Sequence, residues 1–147
     1  MRAALFLMCL CMLAIAAEPE KKVLFGCHSG DAKVVGRTLD YMLHLANYYD
    51  KHGSSHDIVM VAQSECVKFM LDSFDGTEYK NEDIPVDIDL KFEKLKGKVR
   101  FEQCAATLDR KQIEYKKLKK NVKVVPSATV ATVDYQLKGY AYMPENK

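Results

Sequence analysis

The sequence predicts an α/β domain, a three-layer sandwich built on about five mostly parallel strands. Two features carry this expectation. Short apolar runs at 22–27, 57–62, 99–103, 122–125 and 140–143 alternate with segments whose apolar residues recur at spacings of three and four. The runs are short and apolar enough to be buried on both faces, as strands of a helix-covered parallel sheet are. A chain of 147 residues also suffices for one compact core and is too short for two.

The elements follow in order. The first run, Val-Leu-Phe-Gly in its middle, ends in His-Ser-Gly-Asp and reads as a strand and turn. From 32 to 51, Val35, Leu39, Met42, Leu43, Ala46 and Tyr49 form one face of a long helix, and Gly53 supplies its stop. Residues 57–62 give a second strand. Ser64 is placed to cap a following helix bearing Val67, Met70, Leu71 and Phe74. Residues 76–85 are polar and turn-rich. A helix over 87–96 points Ile88, Phe92 and Leu95 inward and ends at Gly97. The third strand, 99–103, leads to a helix expected over 107–120, with Leu108, Ile113 and Leu118 as its apolar positions. After the fourth strand and Pro126, Ser127 caps a last helix through Val130, Val133 and Leu137. Gly139 ends that helix before the fifth strand.

The N-terminus reads as a cleaved signal peptide over 1–17. Arg2 is followed by an apolar stretch from Leu5 to Ile15, and Ala14-Ile15-Ala16 has the small-x-small pattern of a cleavage site. The stretch is short of the ~20 apolar residues of a membrane span. The expectation is a secreted, periplasmic protein with its domain over 18–147. Without Arg2, 21 basic residues face 20 acidic ones, which is no electrostatic footprint for nucleic acid. The lysines at 116, 117, 119, 120 and 123 are explained by a solvated helix end.

Removal of the leader takes Cys9 and Cys11, leaving Cys27, Cys66 and Cys104. An odd count in an oxidising compartment suggests a reactive thiol or an intermolecular bridge. Cys104 is the foremost candidate. It stands where a strand gives way to small residues that open a helix, and the unpaired N–H groups there favour a thiolate. On this reading its sulfur is accessible to solvent. The competing interpretation is a buried, inert side chain. Arg100 and Arg110 are near enough in sequence to support a thiolate.

The C-terminal third resembles the DsrE/DsrF-like family. The likeness rests on Cys104-Ala-Ala-Thr-Leu-Asp-Arg, on Val124-Val-Pro-Ser and on Gln136-Leu-Lys-Gly-Tyr-Ala-Tyr-Met-Pro. It is closest to the secreted members and extends loosely over nearly the whole mature chain. The resemblance implies a flavodoxin-like (DsrE-like) topology and assembly into homotrimers or hexamers. It also implies sulfur relay, with Cys104 as catalytic residue of a sulfurtransferase or sulfur carrier that forms a persulfide. Donor and acceptor are not named by the sequence. Ala128 and Gln112 stand where the family usually has glycine.

Parallel sheets bind ligands beyond the carboxyl ends of their strands. If the first and third strands are neighbours, as in the order 2-1-3-4-5, Cys27, His28 and Cys104 flank one crevice. Cys27 is then a candidate second sulfur, able to bridge Cys104 if their Cα atoms lie within ~7 Å. His28 is a candidate acid or base for the thiol, and Arg110 a candidate accessory cation. Cys66 reads as core filler. The rival function is a non-catalytic oligomeric binding module for a small ligand or soft metal. His28, His56, Cys27 and Cys104 are its conceivable metal ligands, although no close metal-binding spacing supports them. No cofactor is expected, and no hydrolase or dinucleotide motif is visible.

Overall fold

The computed structural model describes residues 18–145. The expected signal peptide at 1–17 lies outside them. Five parallel strands form one sheet: β1 (Lys21–Cys27), β2 (His56–Ala62), β3 (Arg100–Cys104), β4 (Val122–Val125) and β5 (Ala141–Met143). Helices α1 (Ala32–Lys51), α2 (Val86–Leu95), α3 (Ala105–Arg110) and α4 (Ala128–Leu137) connect them, with 3₁₀ turns at Ser64–Met70 and Tyr115–Lys117. The three-layer α/β class is as expected. Among the described residues no helix is long and apolar enough to cross a membrane.

The strand order is β4-β3-β2-β1-β5, not 2-1-3-4-5. β2 therefore separates β1 from β3. The chain steps outward from β1 to β4 and then returns, so the reversal of strand order falls between β1 and β5.

Side-chain alternation divides the core unequally. Val23, Phe25, Cys27, Ile58, Met60, Ala62 and Phe101 face the larger core with Val35, Leu39, Met42, Ile88, Phe92 and Leu95 from α1 and α2. Leu24, Val59, Val61 and Cys104 face a smaller core completed by Ala128, Ala131 and Tyr140. α4 is the helix contributing to that second face. The Tyr142 side chain reaches over position 26, which is glycine. A Cβ there would stand 2.7 Å from the Tyr142 hydroxyl.

Two local expectations change. Ser64 does not cap an α-helix; it opens the 3₁₀ turn with φ of 53°. The helix expected over 107–120 stops at Arg110. Leu108, Ile113 and Leu118 are five apart, which cannot hold one helical face. Instead Gln112 takes φ of 53°. Its N–H bonds to Asp109 O at 3.1 Å, and Ile113 N–H to Leu108 O at 2.9 Å, closing the helix with a Schellman pair. Gln112 thus adopts a backbone state that glycine enters without the Cβ penalty. Gly139 closes α4 in the same manner, through Gly139 N–H to Gln136 O and Tyr140 N–H to Tyr135 O.

Cys27 and Cys66 form a disulfide, with a Cα separation of 5.8 Å. This corrects the expectation of Cys27 as a partner for Cys104 and of Cys66 as filler. Cys27 and Cys104 lie on opposite faces of the sheet, with a strand between them. Two strand spacings of ~4.8 Å exceed the reach of a disulfide. The observed bridge closes a loop across 39 residues. Chain-entropy arguments give such a loop about 3–4 kcal/mol. The double variant Cys27→Ala/Cys66→Ala should lose about that amount in urea unfolding, and reduction of the wild type should reproduce the loss.

Candidate functional site

Cys104 closes β3 and is the N-cap residue of α3, with extended backbone at φ −65° and ψ 119°. The parallel register sets it opposite Val125 on β4. One strand end therefore lies beside the other, and both chains turn into helices there. Ser127 caps α4 by accepting the Val130 N–H. The first helical N–H, that of Ala128, donates to Cys104 Sγ at 3.4 Å. At the start of α3, the Ala106 and Thr107 backbones and the Thr107 side chain also favour the thiolate.

The sulfur is 4 % exposed, so the open access expected from sequence is not present. Its surroundings are nevertheless polar on the helix side. Burial pushes the thiol pKa up, but the Ala128 N–H bond and the donor groups of Thr107 and Ala106 outweigh it and hold the pKa below the ordinary value. No arginine is needed for this effect. Arg110 is exposed at the far end of α3. Arg100 is engaged by Asp57, with Nε to Oδ1 at 3.0 Å and Nη2 to Oδ2 at 2.8 Å. Cys104 is the one free cysteine among the described residues.

His28 lies two strands away, at the end of β1. The Gln63 side-chain amide donates to its Nε2 at 2.7 Å. It is not brought to Cys104. At the β1–β5 reversal the Glu145 carboxylate accepts from Ser29 N–H at 3.0 and 3.1 Å and from His28 N–H at 3.3 Å. Cys27 is held in its disulfide and offers no thiolate. His28, His56 and Cys104 form no common site, and among the described residues no group of three His, Cys, Asp or Glu is placed to hold a metal.

Sequence reasoning missed a polar cluster on the Cys104 face. Glu102, one alternation before Cys104, is 4 % exposed. Its Oε1 accepts from the Tyr135 hydroxyl at 2.6 Å and from Arg100 Nη1 at 3.5 Å. Arg100 also donates to the Tyr135 and Tyr140 hydroxyls, each at 3.1 Å, and Tyr140 donates to Asp57. Burial, and then the hydrogen bonds to Glu102 and Asp57, push both tyrosines up to about 12, so they remain donors at neutral pH. The available signal was a glutamate and a glutamine within a strand expected to be buried on both faces.

Thr107 links two parts of the Cys104 site, because its hydroxyl also accepts the Ser64 N–H at 3.2 Å. Thr107→Val should raise the Cys104 titration midpoint, read as thiolate ultraviolet absorbance in difference against Cys104→Ser. It should also cost about 1–2 kcal/mol by leaving the Ser64 donor unmet. The pH dependence has a definite sign. A thiol pKa depressed on folding contributes stability at pH above the unfolded value of ~8.5, and that contribution is lost as pH falls through the folded value. The variant should have less of it to lose.

Comparison with known proteins agrees with this architecture. The sequence model of the DsrE/DsrF-like family matches residues 21–144. An uncharacterized protein of Aquifex aeolicus (strain VF5) is 27 % identical over 142 residues, covering 95 % of this chain but only 62 % of its own length. Among solved structures, the protein of unknown function MTH1491 from Methanobacterium thermoautotrophicum superposes with a TM-score of 0.68 at 26 % identity, covering 85 % of this chain and 99 % of that one. The ychN protein from E. coli gives a TM-score of 0.62 at 16 % identity, covering 84 % and 98 %. The chain belongs to the DsrE/DsrF-like family.

Proposed function

We propose that this protein traffics sulfur through a persulfide on Cys104, as an exported member of its family. The observation that carries the reading is the sulfur's position between the starts of α3 and α4, where N–H donors favour its ionised form. The thiolate attacks the outer sulfur of a sulfane donor. With thiosulfate, a new S–S bond forms on Cys104, the S–S bond of the donor breaks, and sulfite leaves with the bonding electron pair. An acceptor thiolate then attacks the outer sulfur and releases the Cys104 thiolate. The low exposure of Cys104 means that the donor reaches it only when its cover shifts. Export is supported by the Cys27–Cys66 bridge, since disulfides persist in oxidising compartments, and by the leader-like sequence of 1–17.

Incubation with thiosulfate or polysulfide should add one sulfur atom to Cys104 by mass spectrometry. The gain should vanish on reduction and be absent in Cys104→Ser. A wild type left unmodified by both donors would defeat the proposal.

Assembly into a homotrimer or hexamer is part of the same reading. α4 carries Val130, Val133 and Leu137 along its outer side, at 58, 49 and 81 % exposure. Apolar side chains at i, i+3 and i+7 form a stripe of the kind that marks an interface. Leu137→Glu should shift light scattering toward the monomer while leaving the circular dichroism unchanged. A wild type that is monomeric in concentrated solution would overturn this assignment.

A further inference from the structure

Beside α4 lies a cavity of about 250 Å³ whose walls include Glu102, Val125, Pro126, Val130, Asp134 and Tyr135. Glu102 is the informative member. Its Oε1 is well supplied with donors, whereas its buried Oε2 has no hydrogen-bond partner. An ionised carboxylate only accepts, so the group missing from Oε2 is a donor. Leaving such an oxygen buried and unmet costs on the order of 1–3 kcal/mol or more.

Charge favours a cationic donor over a neutral one. Arg100 is shared between two carboxylates, those of Asp57 and Glu102, leaving the cluster one negative charge in excess. Asp134 and Lys138, also on the cavity wall, carry opposite charges and add no net charge to it. The remaining wall is mostly apolar, from Val125, Pro126, Val130 and Ala131. The space far exceeds the ~10–15 Å³ that admits one water. Val133 and Leu137 do not line it, so the cavity and the outermost part of the apolar stripe occupy different sides of α4.

We propose that this cavity binds a small organic cation of the alkylammonium class, its nitrogen donating to Glu102 Oε2 and its alkyl chain lying along Val125, Pro126 and Val130. The site does not depend on sulfur transfer, so Cys104→Ser should bind the same ligand.

The probe is n-butylammonium chloride, followed by amide resonances of the intact protein, with n-butanol as its neutral counterpart. Saturable shifts centred on Val125, Ser127 and the Ala131–Tyr135 turn are expected. Butanol should bind about tenfold more weakly or worse, and Glu102→Gln should weaken n-butylammonium by a similar factor, as loss of a charge-assisted hydrogen bond requires. Asp134→Asn should stay within about threefold of wild type, as expected for an exposed charge. The wild-type comparison of ammonium with alcohol holds even if Glu102→Gln fails to fold. Equal binding of butanol, no saturable shift, or dependence on Asp134 instead of Glu102 would each overturn the proposal. So would a crystal structure grown with the probe in which Oε2 meets only water, or a lysine or arginine of a second copy.

Discussion

The parallel register of β3 and β4 places Cys104 opposite Val125, and the arrangement around the thiol follows from that pairing. Parallel neighbours end on the same side of a sheet, so adjacent strands deliver their successor helices side by side. Here the chain turns into α3 directly after Cys104 and into α4 three residues after Val125. The starts of two helices consequently meet at one sulfur, which accepts the Ala128 N–H. A slip of one residue in β4 would move Ala128 off the sulfur and turn the β4 side chains to the opposite faces. The lowered thiol pKa is thus a property of strand pairing as much as of any side chain.

Much of this architecture was legible in the sequence. Short apolar runs located all five strands, and the three-and-four spacing located α1, α2 and α4 within a residue or two. The Ser127 cap and the Gly139 stop were readable because each acts through its own side chain or the lack of one. α3 was misjudged in length, since a Schellman closure on Gln112 carries no glycine to announce it.

The site was less legible, for a different reason. Strand order depends on non-local packing, and the sequential pattern of strands and helices is the same for 2-1-3-4-5 as for 4-3-2-1-5. That single ambiguity misplaced Cys27 and His28 beside Cys104. It also concealed the disulfide, because Cys27 pairs across to the turn following β2, its actual neighbour. Glu102 escaped notice because its cluster joins Arg100 on its own strand to Tyr135 on α4, Asp57 on β2 and Tyr140 just before β5. No local window of sequence holds them together. Cys104 could be singled out as a candidate because its signal, a thiol where strand becomes helix, lies in consecutive residues.

The Cys27–Cys66 bridge has a chemical consequence for the lone thiol. With both other sulfurs locked together, no resolving cysteine is left among the described residues to take a cargo from Cys104. An intramolecular discharge, in which a neighbouring thiol collapses onto the loaded one and expels its burden, has no second participant among the described residues. If Cys104 carries sulfur as proposed, its unloading by a thiol falls to a second molecule, and the rate would scale with the concentration of a docking protein or low-molecular-weight thiol.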